Sequence, residues 1–183
     1  MKNLMNFLLK VMSTRDPYAR GHSDHVTELS KRLAHAIDLP SERIESLLFA
    51  SEIHDLGKIA INETVINKPG RFTEAEYVMV QHHAVLGASI IEPLEIDPLI
   101  QQIILHHHEN YDGSGYPHKI AGGTIPLESR ILRIADTFDA LIHDRVYRSA
   151  YSPQKARAIM REESRFFDPN LLEIFFKMDY AQD

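Results

Sequence analysis

Histidine and aspartate side chains recur along this chain, most densely in HHHENYDGSGYP at residues 106–117. Others occur earlier, at His22 in RGHSDH and in the dipeptide His54-Asp55. Imidazole nitrogens and carboxylate oxygens bind divalent transition metals, and the absence of cysteine excludes thiolate sites. These residue types therefore favour a metal site with nitrogen and oxygen ligands.

The candidate ligands fall in different predicted helices, as in metal sites built inside helical bundles. Six or seven such ligands exceed the usual four of zinc and suit two metals that share a carboxylate, such as Fe or Mn. Asp55 follows the candidate ligand His54 directly and has two oxygens, so it is the expected bridge. The candidates are His22, His54, Asp55, His82-His83, His106-His107-His108 and Asp136.

Three cations suggest that the ligand is a phosphate. Lys58 follows His54 by four residues and would share its helix face if the helix continued through Gly57. A lysine beside a cationic metal pair is electrostatically unfavourable unless an anion lies between them. Arg145 and Arg148 could bind the same phosphate through their guanidinium groups. The alternatives are a helix C-terminal charge for Lys58 and a solvated surface for the arginines.

Single histidines are more often surface or satisfied core residues than ligands. His25, His35, His118 and His143 are interpreted in that way, although His22 with His25 could also form an i,i+3 ligand pair. The coincidence of several histidines at element ends, two inward carboxylates and three cations favours a metal site over a satisfied polar core.

Helical periodicity dominates the elements that must position these residues. Helices are predicted over 22–37 and 73–91, from Asp97 to the histidine run, and along the stripe 127–138. Thr73 with Glu76 forms a capping box, and Asp97, Ser152 and Asp168 each precede a proline as N-caps. We expect an all-α fold, with residues 1–183 as a single compact helical bundle carrying two functional loops, 58–72 and 110–126.

The overall composition restricts the partners. The formal net charge of −6, without a basic stripe, argues against binding to duplex nucleic acid. No apolar stretch approaches the roughly 20 residues of a membrane span. The first residues, MKNLMNFLLKVM, are predicted to form a helix rather than a signal peptide, because Asn6 and Lys10 interrupt the apolar run. We expect a cytoplasmic location and no membrane partner.

The ordered motifs HDLGK, KPGRFTEAEYVMVQHHAVLG, HHENYDGSGYP and IADTFDALIHDRVYR resemble the HD-GYP family. That family belongs to the HD superfamily of metal-dependent phosphohydrolases and cleaves cyclic dinucleotides, chiefly cyclic di-GMP. The resemblance runs from about residue 16 to about residue 169.

The resemblance assigns roles residue by residue and makes His106 the extra histidine and His82 a neighbour of the site. It implies that Asp55 and Lys58 are catalytic. The implied metal ligands are His22, His54, Asp55, His83, His107, His108 and Asp136. The implied substrate-binding residues are Lys58, Gly115, Tyr116, Pro117, Arg145, Tyr147 and Arg148.

The implied activity is hydrolysis of cyclic di-GMP by a hydroxide that bridges two divalent metal ions, Fe or Mn. Whether the product is linear pGpG or GMP is left open. Where some relatives carry a glutamate for a third metal, this chain has Tyr18, so two metals are expected. His25 stands where relatives often have arginine, and Lys119 where they often have glycine. Regulatory or diguanylate-cyclase-type proteins are implied partners.

Two alternatives to this activity are open. One is another HD-type nucleotide phosphohydrolase that acts on linear nucleotides. The other is a weakly active or inactive receptor that binds a cyclic dinucleotide without turning it over.

Overall fold

The computed structural model describes residues 2–13, 19–144 and 149–178, and every regular element within these ranges is helical. The all-α prediction is therefore confirmed. The α-helices are α1 Lys2–Ser13, α2 Ala19–Ala36, α3 Ser41–Ile53, α4 Glu63–Ile66, α5 Glu74–Gln81, α6 His83–Ile91, α7 Pro98–His106, α8 Leu127–Ile142, α9 Pro153–Glu162 and α10 Pro169–Lys177. Short 3-10 helices cover Leu56–Ala60, Glu92–Leu94, Gly122–Thr124 and Ser164–Phe166.

Helices α2, α3, α7 and α8 pack against one another and enclose the main hydrophobic core. Their buried side chains include Leu33, Leu47, Ile103 and Phe138, each with no exposed surface. Helix α10 covers this core, and the Phe175 ring meets the Phe138 ring edge to face at 5.1 Å between centroids. Burial of these apolar stripes holds the helices that carry candidate ligands in one place.

The predicted helix starts are confirmed by side-chain hydrogen bonds. Thr73 and Glu76 form a reciprocal capping box at the start of α5. Asp97, Ser152 and Asp168 each accept a backbone N–H from the first turn of the helix that follows, and each precedes a proline.

The predicted single helix over 73–91 is wrong, because α5 ends at Gln81 and α6 begins at His83. His82 caps the end of α5, and its ring Nδ1 donates to the Val78 carbonyl at 2.8 Å. None of the residues of α5 is buried, whereas α6 buries five of its nine residues. The two segments have different surroundings, and the break lets them take different directions.

The α-helix that carries His54 does not continue to Lys58, so the predicted shared helix face is wrong. Helix α3 ends at Ile53, and residues Leu56–Ala60 form a 3-10 helix packed on α6. The reason is the close approach at Gly57, where a Cβ atom would overlap the carbonyl oxygen of His83. This contact brings the His54-Asp55 dipeptide beside His83.

The two predicted loops differ in their regularity. Residues 58–72 are less irregular than predicted, since the 3-10 helix continues to Ala60 and α4 follows. Residues 110–126 contain only the 3-10 helix Gly122–Thr124. Among the described residues, no helix combines the length and apolar character needed to cross a membrane.

Candidate metal centre

Two groups of three potential ligands face each other between the ends of α3, α6, α7 and the middle of α8. The first trio is His22, His54 and Asp136, and the second trio is His83, His107 and His108. Within each trio the ligand atoms lie within 4.8 Å of one another. The rings of His54 and His107 are 5.2 Å apart between centroids, so the two trios are direct neighbours.

Backbone carbonyls fix which ring nitrogen carries the proton in three of these histidines. The Nδ1 atoms of His54, His83 and His107 lie 2.7, 2.6 and 2.6 Å from the carbonyl oxygens of the residues three positions earlier. Because a carbonyl oxygen only accepts, each Nδ1 must donate, and Nε2 of the neutral ring is left with a bare lone pair. This arrangement is typical of metal-binding histidines.

The bare Nε2 atoms are left without suitable partners in the buried interior. Nε2 of His54 has no hydrogen-bond partner among the described residues, and Nε2 of His83 lies 3.1 Å from Nε2 of His107. Two lone pairs at that distance repel each other unless a cation lies between them. Burial lowers the pKa of His83 and, with His83 and His54 as neighbours, holds the pKa of His107 well below its usual value. Both rings are therefore neutral, as ligands must be.

Asp55 lies between the two trios with one oxygen toward each. Its Oδ1 is 3.5 Å from Nε2 of His83, and its Oδ2 is 3.6 Å from Nε2 of His54 and 4.0 Å from Nε2 of His22. Burial raises the pKa of Asp55, but Lys58 and the surrounding histidines outweigh burial and hold the pKa well below its usual value. The carboxylate is thus ionised and could bridge two cations.

Lys58 pairs with Asp55 directly, since its Nζ lies 2.6 Å from Oδ2 of that carboxylate. The contact is an i,i+3 pair created by the 3-10 helix rather than the predicted i+4 contact. The lysine side chain as a whole is 28% exposed.

His22 is held between two carboxylates of α8. Its Nδ1 lies 2.6 Å from Oδ2 of Asp139, and its Nε2 lies 3.2 Å from Oδ1 of Asp136. Burial lowers the pKa of His22, but these two contacts outweigh it and raise the pKa to about 9. The Asp139 contact keeps a proton on Nδ1. At that pKa Nε2 beside Asp136 also carries a proton, which a metal would have to displace.

The turn after the histidines packs tightly against the end of α7. A Cβ at Gly115 would overlap backbone atoms of residues 108–110, so only glycine fits. The Tyr116 N–H donates to the His108 carbonyl, and the two rings lie 4.9 Å apart. Burial raises the pKa of the Tyr116 phenol above its usual range, so the phenol keeps its proton beside the second trio. The Tyr116-Pro117 peptide bond is cis.

The structure therefore brings together all seven residues for which the sequence predicts metal binding, together with Lys58, Gly115, Tyr116 and Pro117. Tyr18, Arg145, Tyr147 and Arg148 lie outside the described residues. The extra histidine, His106, faces away from both trios and contacts the His118 ring. His82 also lies outside them.

The four histidines interpreted as surface or satisfied core residues have different environments. His35 is exposed, as predicted. The rings of His25 and His143 stack at 4.5 Å, and their Nδ1 atoms lie 3.4 and 2.8 Å from Oδ1 of Asp139. Among the described residues, His25 groups with Asp139 and His143 as possible ligands, whereas His22 groups with His54 and Asp136, so the i,i+3 ligand pair is not formed.

Sequence reasoning missed three residues that support the site. Asp139 orients His22, Glu109 accepts the His118 N–H at 2.7 Å, and Arg133 donates twice to Oδ1 of Asn110 in the loop. Arg133 and Asp139 lie three residues before and after Asp136 on α8, so the helix period could have indicated them. Glu109 follows the end of α7, so no helical spacing in the sequence indicates its role.

A cleft lies at the start of α5, around residues 70–77. Its volume is about 240 Å³, and its lining residues are Gly70, Arg71, Phe72 and Tyr77. Tyr77 lies close enough to Tyr116 to contribute to its raised pKa. The cleft thus offers a guanidinium and two aromatic rings on the side of the loop that carries Tyr116.

Replacement of Asp139 by asparagine should weaken metal binding by about 10- to 100-fold, because the carboxylate that fixes the His22 ring is lost. The rate of the metal-dependent reaction should return to the wild-type value at saturating metal, since no member of the two trios is removed. Metal affinity and kcat at saturating metal are the two measurements. An Asp38→Asn variant, at an exposed position after α2, is the control. Unchanged metal affinity in the Asp139→Asn protein would contradict the positioning role.

Comparison with known proteins supplies the context for this geometry. The family model described as HD domain matches residues 6–171. The 3'3'-cGAMP-specific phosphodiesterase 2 of Vibrio cholerae is 32% identical over 179 residues, covering 96% of this chain and 34% of that protein. A cyclic di-GMP phosphodiesterase of Pseudomonas aeruginosa is 34% identical over 167 residues, covering 91% of this chain and 40% of that protein. The chain thus spans less than half the length of these curated relatives.

A solved structure has the same fold. The crystal structure of a cyclic GMP-AMP specific phosphodiesterase of V. cholerae superimposes with a TM-score of 0.73 at 21% identity. The match covers 95% of this chain and 47% of that one.

Proposed function

The chain belongs to the HD domain family, as its motifs predict, and we propose that it is a metal-dependent phosphodiesterase that hydrolyses a cyclic dinucleotide. The observation that carries the proposal is Asp55, with one oxygen near each of two neighbouring ligand trios. Bare imidazole nitrogens and ionised carboxylates in a buried site form a donor set that needs cations.

The proposed ligands are the two trios with Asp55 as the shared residue, for two divalent ions of the iron or manganese type. Such ions would supply Lewis acidity toward a phosphoryl oxygen and a nucleophile derived from water. The residues of the chain would hold the ions at fixed positions, because six of the seven ligands belong to helices or helix ends. Four of them, His54, Asp55, His83 and His107, are buried and would exclude bulk water. The Asp136 side chain is 13% exposed and leaves an opening.

Lys58 is the proposed phosphate ligand within the described residues. Its ammonium group contacts the Asp55 carboxylate at 2.6 Å. Metal cations bound by that carboxylate would compete with the ammonium group for it. A phosphate near the pair would then attract the lysine, and the ammonium charge would stabilise negative charge that develops on the phosphoryl oxygens. We propose Arg145, Tyr147 and Arg148 as further substrate contacts.

Tyr116 is proposed to contact the substrate through its protonated phenol. The ring lies against His108, and the tight packing at Gly115 gives it a fixed position. A hydrogen bond to a phosphate oxygen or a guanine edge, or stacking on a base, fits this residue. Phe72, Tyr77 and Arg71 of the adjoining cleft are suited to receive the second nucleotide.

Cyclic di-GMP is the proposed substrate, with linear pGpG as the first product and GMP as a further one. A second candidate is 3'3'-cGAMP, because a phosphodiesterase named for that substrate matches 96% of this chain. A cytoplasmic location and regulatory or diguanylate-cyclase-type partners accompany this proposal, since cyclic dinucleotide signals are made and used inside cells.

The test is a substrate panel assayed under anaerobic conditions with Mn²⁺ or Fe²⁺ present. The panel contains cyclic di-GMP, 3'3'-cGAMP, cyclic di-AMP, linear pGpG and nucleoside mono- and triphosphates, and products are separated by chromatography. We expect kcat/KM for a cyclic guanine dinucleotide to exceed that for mono- and triphosphates by at least about 100-fold, or roughly 2.7 kcal/mol. Preference for linear nucleotides would support the alternative HD-type phosphohydrolase, and tight binding without any product would support a receptor.

A further inference from the structure

A second cluster of potential metal ligands lies behind the turn that carries Tyr116. It consists of His106 at the end of α7, Glu109 just after it, and His118 two residues beyond Tyr116. One ligand atom from each lies within 4.8 Å of the others. The ring of His106 contacts the ring of His118, whereas His107 and His108 contact His83, so this cluster faces away from the two trios.

Two buried atoms of the cluster have no hydrogen-bond partner in the part of the chain that the structure describes. They are Nδ1 of His106, in a residue that is 7% exposed, and Oε2 of Glu109, in a residue that is 2% exposed. The nearest approach between the two side chains, from Nδ1 to Oε1, is 3.8 Å and is too long for a hydrogen bond. Two buried, unpaired polar groups on adjacent side chains are unfavourable unless something lies between them.

We propose that His106, Glu109 and His118 bind a zinc ion that fastens the turn to the end of α7. Two imidazoles and one carboxylate form a known three-residue ligand set for zinc, with water as the fourth ligand. Zinc bonds of about 2.0–2.1 Å in a tetrahedron separate the ligand atoms by about 3.3 Å. Nδ1 of His106 lies 3.8 Å from Oε1 of Glu109, the oxygen that already accepts the His118 N–H, so Oε2 of the same carboxylate has to reach the metal position.

His118 supplies the adjustment that the geometry needs. It is exposed, so its ring can rotate toward the buried pair without disturbing the core. Its backbone is already anchored, because its N–H donates to Oε1 of Glu109 at 2.7 Å. Oε2 of the same carboxylate, which has no partner, is then the oxygen available to the metal.

Zinc at this cluster would restrain the residues between its ligands. Tyr116 lies within the closed segment from Glu109 to His118, and Lys119 directly after it has a φ of 56° that non-glycine residues rarely adopt. A metal bond at His118 would hold this segment against α7. The site is proposed from its own ligands and does not depend on the phosphodiesterase activity.

The test is zinc content, not activity. Metal-free protein is dialysed against buffered zinc, and the bound equivalents per chain are measured by mass spectrometry for wild type, His118→Ala, His106→Ala and the exposed control His35→Ala. We expect His118→Ala and His106→Ala each to bind one equivalent less than wild type and His35→Ala. Hydrogen exchange of residues 115–119 should slow by about 10-fold with zinc in wild type and not in His118→Ala.

His118 is exposed, so its substitution leaves the fold intact even if His106→Ala fails to fold. Equal zinc content in wild type and His118→Ala would overturn the proposal. So would the loss of the equivalent in His25→Ala instead, because that result would place the extra ion at the His25, Asp139 and His143 cluster. Neither result depends on whether any dinucleotide is cleaved.

Discussion

An Asp55→Asn variant should lose at least about 10³-fold in turnover of a cyclic dinucleotide and bind fewer than two catalytic metal ions per chain. The amide has the same size as the carboxylate, so the buried position stays filled. It removes the negative charge and one of the two oxygens that lie near His54 and His83. Metal analysis and initial rates at saturating substrate are the measurements.

The matched control for this variant is Asp24→Asn, at an exposed position on α2. It changes the net charge by the same amount without touching either trio. Far-UV circular dichroism should show the same helix content in both variants, because Asp55 caps no α-helix and packs no apolar core. Wild-type turnover in the Asp55→Asn protein would contradict the proposal that Asp55 is the ligand shared by the two metals.

A Lys58→Met variant should retain both metal ions and lose about 100-fold in kcat/KM. Methionine keeps the apolar stem of the side chain and removes only the ammonium group that lies 2.6 Å from Asp55. If the lysine acts on the phosphate in the transition state, kcat should fall with little change in KM. Steady-state kinetics on metal-loaded protein separate the effect on kcat from the effect on KM.

The control for the lysine is Lys31→Met, on the exposed side of α2. It tests whether loss of one surface cation alone slows the capture of an anionic substrate. A Lys58→Met protein with normal kinetics but altered metal content would show that the lysine serves the metal site rather than the substrate.

Much of the fold follows from local sequence rules. The caps at Thr73, Asp97, Ser152 and Asp168 are hydrogen bonds between near neighbours in the chain, so residue types alone predict them. The apolar stripe of α8 also indicated that Asp136 faces inward, and the structure places Asp136 beside His22.

What the sequence did not predict depends on contacts between distant segments. The 3-10 helix after Asp55 accompanies the close packing of Gly57 against α6, some 30 residues later in the chain. The helical periodicity of a short stretch of sequence does not reveal such a long-range contact. For the same reason the sequence did not predict the role of Glu109, which accepts the backbone N–H of His118. Nor did it predict the cluster that Glu109 forms with His106 and His118.

The most direct test of the dinuclear account is a metal titration with activity as the readout. Metal-free protein, as wild type and as His118→Ala to exclude ions held at the zinc cluster, is titrated anaerobically with Mn²⁺ or Fe²⁺. Bound metal and cyclic di-GMP hydrolysis are measured at each step. We predict that the rate rises until two equivalents per chain are bound in His118→Ala and then levels off. Full activity at one equivalent, or no hydrolysis of any cyclic dinucleotide at two, would contradict the account.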